Sequence, residues 1–132
     1  FPDNHEWTQE MSANILTVDD SASIRMTTRI ALTNAGYNVT EAVDGADGLQ
    51  KMKSGSFDLI VTDLNMPNMD GLTMIRNLRQ MPAYMGTPVI FLTTESDGDI
   101  KQQAKAAGAT GWLTKPFDAE NLTKIARKVL GR

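Results

Sequence analysis

No cysteine occurs in this chain, which excludes a disulfide framework and any thiolate metal site. A single histidine, His5, stands near the N-terminus, so an imidazole-based catalytic or metal centre is hard to assemble. No apolar stretch approaches the ~18 residues of a membrane span. The 13 Lys and Arg are outnumbered by 16 Asp and Glu, and the net charge of −3 does not suggest nucleic-acid binding. One positive concentration exists, at Lys124, Arg127 and Lys128. It reads as the solvated face of an amphipathic helix, with a partner-docking face as the alternative. Neither G-x-x-x-x-G-K-S/T nor G-x-G-x-x-G is present, so no nucleotide cradle is available. The start of the chain lacks the basic stretch and apolar core of a signal peptide, and a cytoplasmic location is the expectation. On that footing the triplets at 38–40 and 121–123 are not glycosylation sites.

What remains is the composition of a globular protein. With 132 residues, 41% hydrophobic and 22% charged, the chain suffices for one domain with a real core and is too short for two ordinary ones. Residues 1–12, beginning "FPDNHEWTQE", show no periodicity and read as a disordered tail or an expression remnant. The domain is expected over 13–132.

From Asn14 onward, apolar runs alternate with helical patterns. "ILTV" at 15–18 precedes a helix over 22–35, with Ile24, Thr28, Ala31 and Ala35 on one face, Ser21 as N-cap and Gly36 as stop. A more polar strand at 37–42 leads to a helix over 46–54 that turns Leu49 and Met52 inward. "FDLIVT" at 57–62 is the third strand, followed by a helix marked by Leu72, Ile75 and Leu78. "PVIFLT" at 88–93 is the fourth, followed by Ile100, Ala104 and Ala107 with Gly108 as a stop. "GWLT" at 111–114 is the fifth, and Leu122, Ile125, Ala126 and Val129 mark a last helix ending at Gly131. Five such units predict an α/β fold: a doubly wound, five-stranded parallel sheet flanked by five helices. Strand order 2-1-3-4-5, the flavodoxin-like order, puts the apolar runs in the centre and the polar and short strands at the edges.

Chemistry gathers at the carboxyl ends of those strands. Asp19 and Asp20 follow the first, Asp63 the third, Thr93 the fourth and Lys115 the fifth. Singly each has a plain structural reading: a helix cap, a turn, a β-branched strand residue, a surface lysine. Jointly they place three carboxylates, a hydroxyl and an ammonium at one edge of one sheet. Carboxylates so crowded call for a divalent cation. A carboxylate can attack phosphorus, Mg2+ can offset the repulsion, and Lys115 and Thr93 can hold phosphoryl oxygens. The loop "LNMPNMDG" after Asp63 fails the EF-hand spacing. Met66 and Met69 within it read as packing under the turn, with an adaptable contact surface as the alternative.

The chain resembles the receiver domains of bacterial two-component response regulators, and is similar to stand-alone chemotaxis proteins of the CheY type. The resemblance spans 13–131 and rests on "VDDS" at 18–21, "DLNMPNMDG" at 63–71, "LTTES" at 92–96 and "WLTKPF" at 112–117. It implies that Asp63 is the phosphoacceptor, with Asp20 a direct and Asp19 a water-mediated ligand of Mg2+, completed by the Asn65 backbone carbonyl. It implies that Thr93 and Lys115 contact the phosphoryl group, that the Lys115–Pro116 peptide is cis, and that Thr93 and Trp112 form a conformational switch. A half-buried edge-strand aromatic is the plain alternative for Trp112. Gly98 is expected to loosen the start of the fourth helix.

The resemblance further implies a phosphodonor, a histidine kinase of the chemotaxis type, and an effector such as the flagellar motor switch. The protein is then a monomeric phosphoacceptor switch, not an enzyme in the ordinary sense, whose own chemistry is Mg2+-dependent self-phosphorylation and slow self-dephosphorylation. No nucleic acid and no membrane is expected as a partner. Two other readings stay open at this point. One is a phosphate sink without an effector; the other is an FMN carrier, which the same strand order allows but Asp19-Asp20 would repel.

Overall fold

A computed structural model of the chain describes residues 12–94 and 98–131. The tail expected at 1–12 lies outside the described residues except for Ser12, and His5 lies outside them as well. The elements alternate strictly. They are β1 (Asn14–Val18), α1 (Ala22–Asn34), β2 (Asn38–Ala42), α2 (Gly45–Ser54), β3 (Leu59–Asp63) and α3 (Gly71–Leu78), then β4 (Val89–Thr93), α4 (Gly98–Ala107), β5 (Gly111–Thr114) and α5 (Ala119–Leu130). The strands form one parallel sheet in the order β2-β1-β3-β4-β5.

Strand periodicity sorts the core into two faces. Leu16, Val18, Ile60, Val89 and Phe91 pack with Met52 of α2, Met74, Ile75 and Leu78 of α3, and Ala104 of α4. Ile15, Leu59, Val61, Ile90 and Leu92 point the other way, onto Ala31 and Leu32 of α1 and Leu122 and Ala126 of α5. Every residue of β3 and β4 is buried, as the continuous apolar runs required, whereas β2 alternates and β5 is only partly covered.

Four of the five helices have a local reason to begin where they do. Ser21 accepts a bond from the Ile24 N–H at 3.4 Å, Asp44 from Asp47, Asp70 from Thr73 at 2.7 Å and Asp118 from Asn121 at 2.7 Å. The last helix closes on Gly131 in the left-handed region at φ 73°.

Three strands start later than the sequence expectation: β2 at Asn38, β3 at Leu59 and β4 at Val89. Phe57 and Asp58 precede β3 instead of opening it. There Asp58 Oδ2 accepts the N–H of Asn14 at 2.8 Å, capping the start of the neighbouring strand. A 3-10 turn at Pro82–Tyr84 also interrupts the path from α3 to β4. Buried Tyr84 anchors that turn: its hydroxyl donates to the Met52 carbonyl at 2.8 Å and lies 2.9 Å from that of Gly55.

Candidate functional site

Sheet register decides which side chains meet. Val18 pairs with Thr62, so Asp19 stands level with Asp63. Asp63 pairs with Leu92, and Thr93 with Thr114, which carries Thr93 and then Lys115 along the same edge. One carboxylate oxygen from each of Asp19, Asp20 and Asp63 lies within 4.8 Å of the other two. Asp19 and Asp63 are 3% and 8% exposed, so their charges are largely cut off from water, while Asp20 faces solvent. Hard oxygen donors at this spacing fit a small divalent cation that keeps some of its waters.

All four polar groups of Asp19 are engaged. Its N–H donates to the Ala42 carbonyl at 3.1 Å and its Oδ1 accepts from Ser21 N at 2.9 Å. Its Oδ2 accepts from Lys115 Nζ at 3.1 Å, and its carbonyl accepts from the Arg25 guanidinium. Arg25 is held in turn by Glu41 at 3.5 Å, and Glu41 also pairs with Arg29 at 3.2 Å. The acidic corner therefore sits on an Arg–Glu–Arg network, a support that sequence reading missed. Its only advance signal was the chance that helical spacing would set Arg25 and Arg29 beside a strand carboxylate.

On Asp63, Oδ1 accepts the Leu64 N–H at 2.8 Å and lies 3.4 Å from Lys115 Nζ, while Oδ2 has no hydrogen-bond partner among the described residues. Burial, and then the charge of Asp19, push the Asp63 carboxyl above the ordinary range; the Lys115 ammonium and the Leu64 N–H pull it part of the way back. Thr93 is fully buried at the end of β4, and its carbonyl accepts from Lys115 N at 2.7 Å. The Lys115–Pro116 peptide is cis. Asn65 stands exposed two residues past Asp63, in the adjoining loop.

The fold places a sharp constraint on Gly71. A Cβ there would meet the Asp63 carbonyl oxygen at 2.5 Å and Phe91 Cε1 at 2.6 Å. Its N–H donates to the Leu64 carbonyl at 2.8 Å, drawing the start of α3 under the site.

Trp112 stands apart from the carboxylates, in β5 opposite Phe91. The two rings are 6.2 Å apart at 57°, and Lys101 Nζ lies 5.7 Å from the indole centroid. The indole Nε1 is buried without a hydrogen-bond partner among the described residues. Beside it a groove of about 360 Å³ runs between α4 and β5, lined by Lys101, Ala104, Lys105 and Thr110. Gly98 is the first residue of α4.

Residues 15–127 match the response regulator receiver domain family, and the chain belongs to it. It is homologous to the chemotaxis regulators of the CheY type. It is 37% identical to chemotaxis protein CheY-3 of Vibrio cholerae over 119 residues, covering 89% of this chain and 92% of that protein. The structure of chemotaxis response regulator CheY4 of Vibrio cholerae superposes with a TM-score of 0.87 at 45% identity, over 91% of this chain and 100% of that one. The receiver domain of a sensor histidine kinase from Pseudomonas aeruginosa PAO1 superposes with a TM-score of 0.84 at 26% identity, over 92% and 99% of the two chains. That domain carries a magnesium ion coordinated in its active-site cleft.

Proposed function

We propose that this receiver domain is a phosphorylation-controlled switch in which Asp63 accepts a phosphoryl group from a phosphohistidine of a chemotaxis-type histidine kinase. The observation that carries the reading is the convergence of Asp19, Asp20 and Asp63, with Lys115 shared between two of them at 3.1 and 3.4 Å. Asp63 Oδ2, the oxygen without a partner among the described residues, attacks phosphorus. The P–N bond breaks, and its electron pair leaves on the imidazole, which takes up a proton. Lys115 and the Thr93 hydroxyl then receive the phosphoryl oxygens that become charged.

Asp19, Asp20, Asp63 and the Asn65 carbonyl are the residues that would hold Mg2+. Such an ion supplies charge neutralisation between the carboxylates and the incoming phosphoryl group. The all-oxygen donor set supports this, as does the magnesium ion in the related Pseudomonas domain. Thr93 and Trp112 form the switch: engagement of Thr93 by the phosphoryl group biases the Trp112 ring and the α4–β5 surface that binds an effector. The protein works as a monomer in the cytoplasm, and its own chemistry is confined to accepting the phosphoryl group and slowly losing it.

Incubation with acetyl phosphate and Mg2+ tests the reading. The wild type gains one phosphoryl group, and Asp63→Asn or removal of Mg2+ abolishes the gain by intact mass. Undiminished acid-labile phosphate on Asp63→Asn overturns it.

A further inference from the structure

Among the described residues, Asn68 is the only non-glycine residue with positive φ, at 68°. It is the centre of a three-residue turn closed by the Met69 N–H and the Pro67 carbonyl at 2.7 Å. An i to i+2 bond around a positive φ belongs to the rarer, strained kind of γ-turn. Strain of this sort persists only where the surroundings over-determine it.

The surroundings here are the start of α2. Asn68 Nδ2 donates to Asp44 Oδ2 at 2.9 Å, across 24 residues of sequence. Asp44 itself is firmly fixed. Its Oδ1 caps the helix by accepting the Asp47 N–H at 2.8 Å, while Asp47 Oδ2 accepts the Val43 N–H at 2.9 Å. Lys51 braces the corner by pairing with Asp47 at 3.2 Å and donating to the Glu41 carbonyl. The next residue leaves no slack, since a Cβ on Gly45 would lie 2.8 Å from the Met69 carbonyl oxygen. The other end of the loop is pinned by Gly71, against Leu64 and Asp63. Asn65 lies between the two pins.

We propose that Asp44 is a positioning residue that grips the strained Asn68 and so sets the divalent-cation affinity of the Asp19–Asp20–Asp63 cluster. The proposal rests on the reading of that cluster as an Mg2+ site. Asp44 is not one of the clustered carboxylates; it fixes the path of the loop that carries Asn65 away from Asp63. Without the grip, Asn68 relaxes toward negative φ, and the span from Leu64 to Met69 shifts with it.

The test is an Mg2+ titration followed by the amide chemical shifts of Leu64 and Asn65, on the wild type, Asp44→Ser, Asn68→Gly and the double variant. Serine still caps α2 but is too short to hold Asn68. Glycine adopts positive φ without help. Asp44→Ser is expected to weaken Mg2+ binding roughly ten-fold, the low end for outer-shell partners of a metal site. Asn68→Gly is expected to stay within about two-fold of wild type and to restore the double variant, since glycine needs no clamp to hold the turn. Unchanged affinity in Asp44→Ser overturns the proposal. So does an equal loss on adding Asp44→Ser to the wild type and to Asn68→Gly, which would mean that Asp44 acts without Asn68. A wild type that shows no Mg2+ response overturns the cation reading itself, a result separate from the other two.

Discussion

Lys115 divides one ammonium between two carboxylates, 3.1 Å from Asp19 Oδ2 and 3.4 Å from Asp63 Oδ1. All three side chains are largely buried, so this cation is what lets the metal-free fold tolerate the pair. Lys115→Met is expected to lower metal-free stability by about 3 kcal/mol, the low end for breaking a buried ion pair. The same change makes the cluster more negative, so Mg2+ should bind it more tightly and recover part of the loss. Urea melts with and without Mg2+ read both effects, and an equal loss in the two conditions would contradict the shared role.

Asp63→Asn should have the opposite effect on the metal-free protein. Burial first, and the Asp19 charge second, hold the Asp63 carboxyl above its ordinary value of 3.8. A raised value in the fold means that the stability contributed by the protonated form is complete below the unfolded-state value and lost as pH rises through the folded one. Asparagine imitates the protonated form at all pH values. At neutral pH without Mg2+ it should melt higher by about 3 °C, the shift that ~1 kcal/mol produces at this size. The advantage should fade as pH falls below the ordinary carboxylate range, which thermal melts across pH will read.

Gly71→Ala should damage the fold as well as the site. The added methyl would sit 2.5 Å from the Asp63 carbonyl oxygen and 2.6 Å from Phe91, two neighbours that cannot easily give way. A loss of about 3 kcal/mol is expected, the upper end for overpacking, and denaturant unfolding measures it.

The chain's strands were readable because burial on both faces writes continuous apolar runs, as at 59–61 and 89–92, and because caps such as Ser21 announce their helices. The site residues were readable for a related reason. Parallel strands that start in register end in register, so residues just past the runs had to share an edge. The supports were not. Arg25 under the Asp19 carbonyl, Asp44 beside Asn68, and Arg79 reaching the Tyr84 and Gly108 carbonyls at 2.7 Å each are contacts between distant segments. Nothing in local pattern distinguishes such an arginine or aspartate from a solvated one. The 3-10 turn at Pro82–Tyr84 escaped for the same reason, because Tyr84 is fixed by carbonyls of α2 and the residue after it, not by its neighbours in sequence.

Lys101 lies 5.7 Å from the Trp112 ring, and the indole N–H beneath has no partner among the described residues. Removing the cation should therefore loosen the ring more than the fold. In a Trp7→Phe background, where Trp112 is the sole indole, Lys101→Met should lower fluorescence anisotropy and change stability by only roughly 0.5–1 kcal/mol, the scale of an exposed cation–π contact. Unaltered anisotropy would show that packing against Phe91 alone fixes the ring.

The helix pair α1 and α5 covers one whole side of the sheet, although the two are separated by most of the chain. During synthesis α1 can cover its part of that side early, whereas the part that awaits Leu122 and Ala126 stays uncovered until residues 119–130 have left the ribosome and docked. A nascent chain stalled before that helix would expose a broad oily plate to chaperones and to other nascent chains.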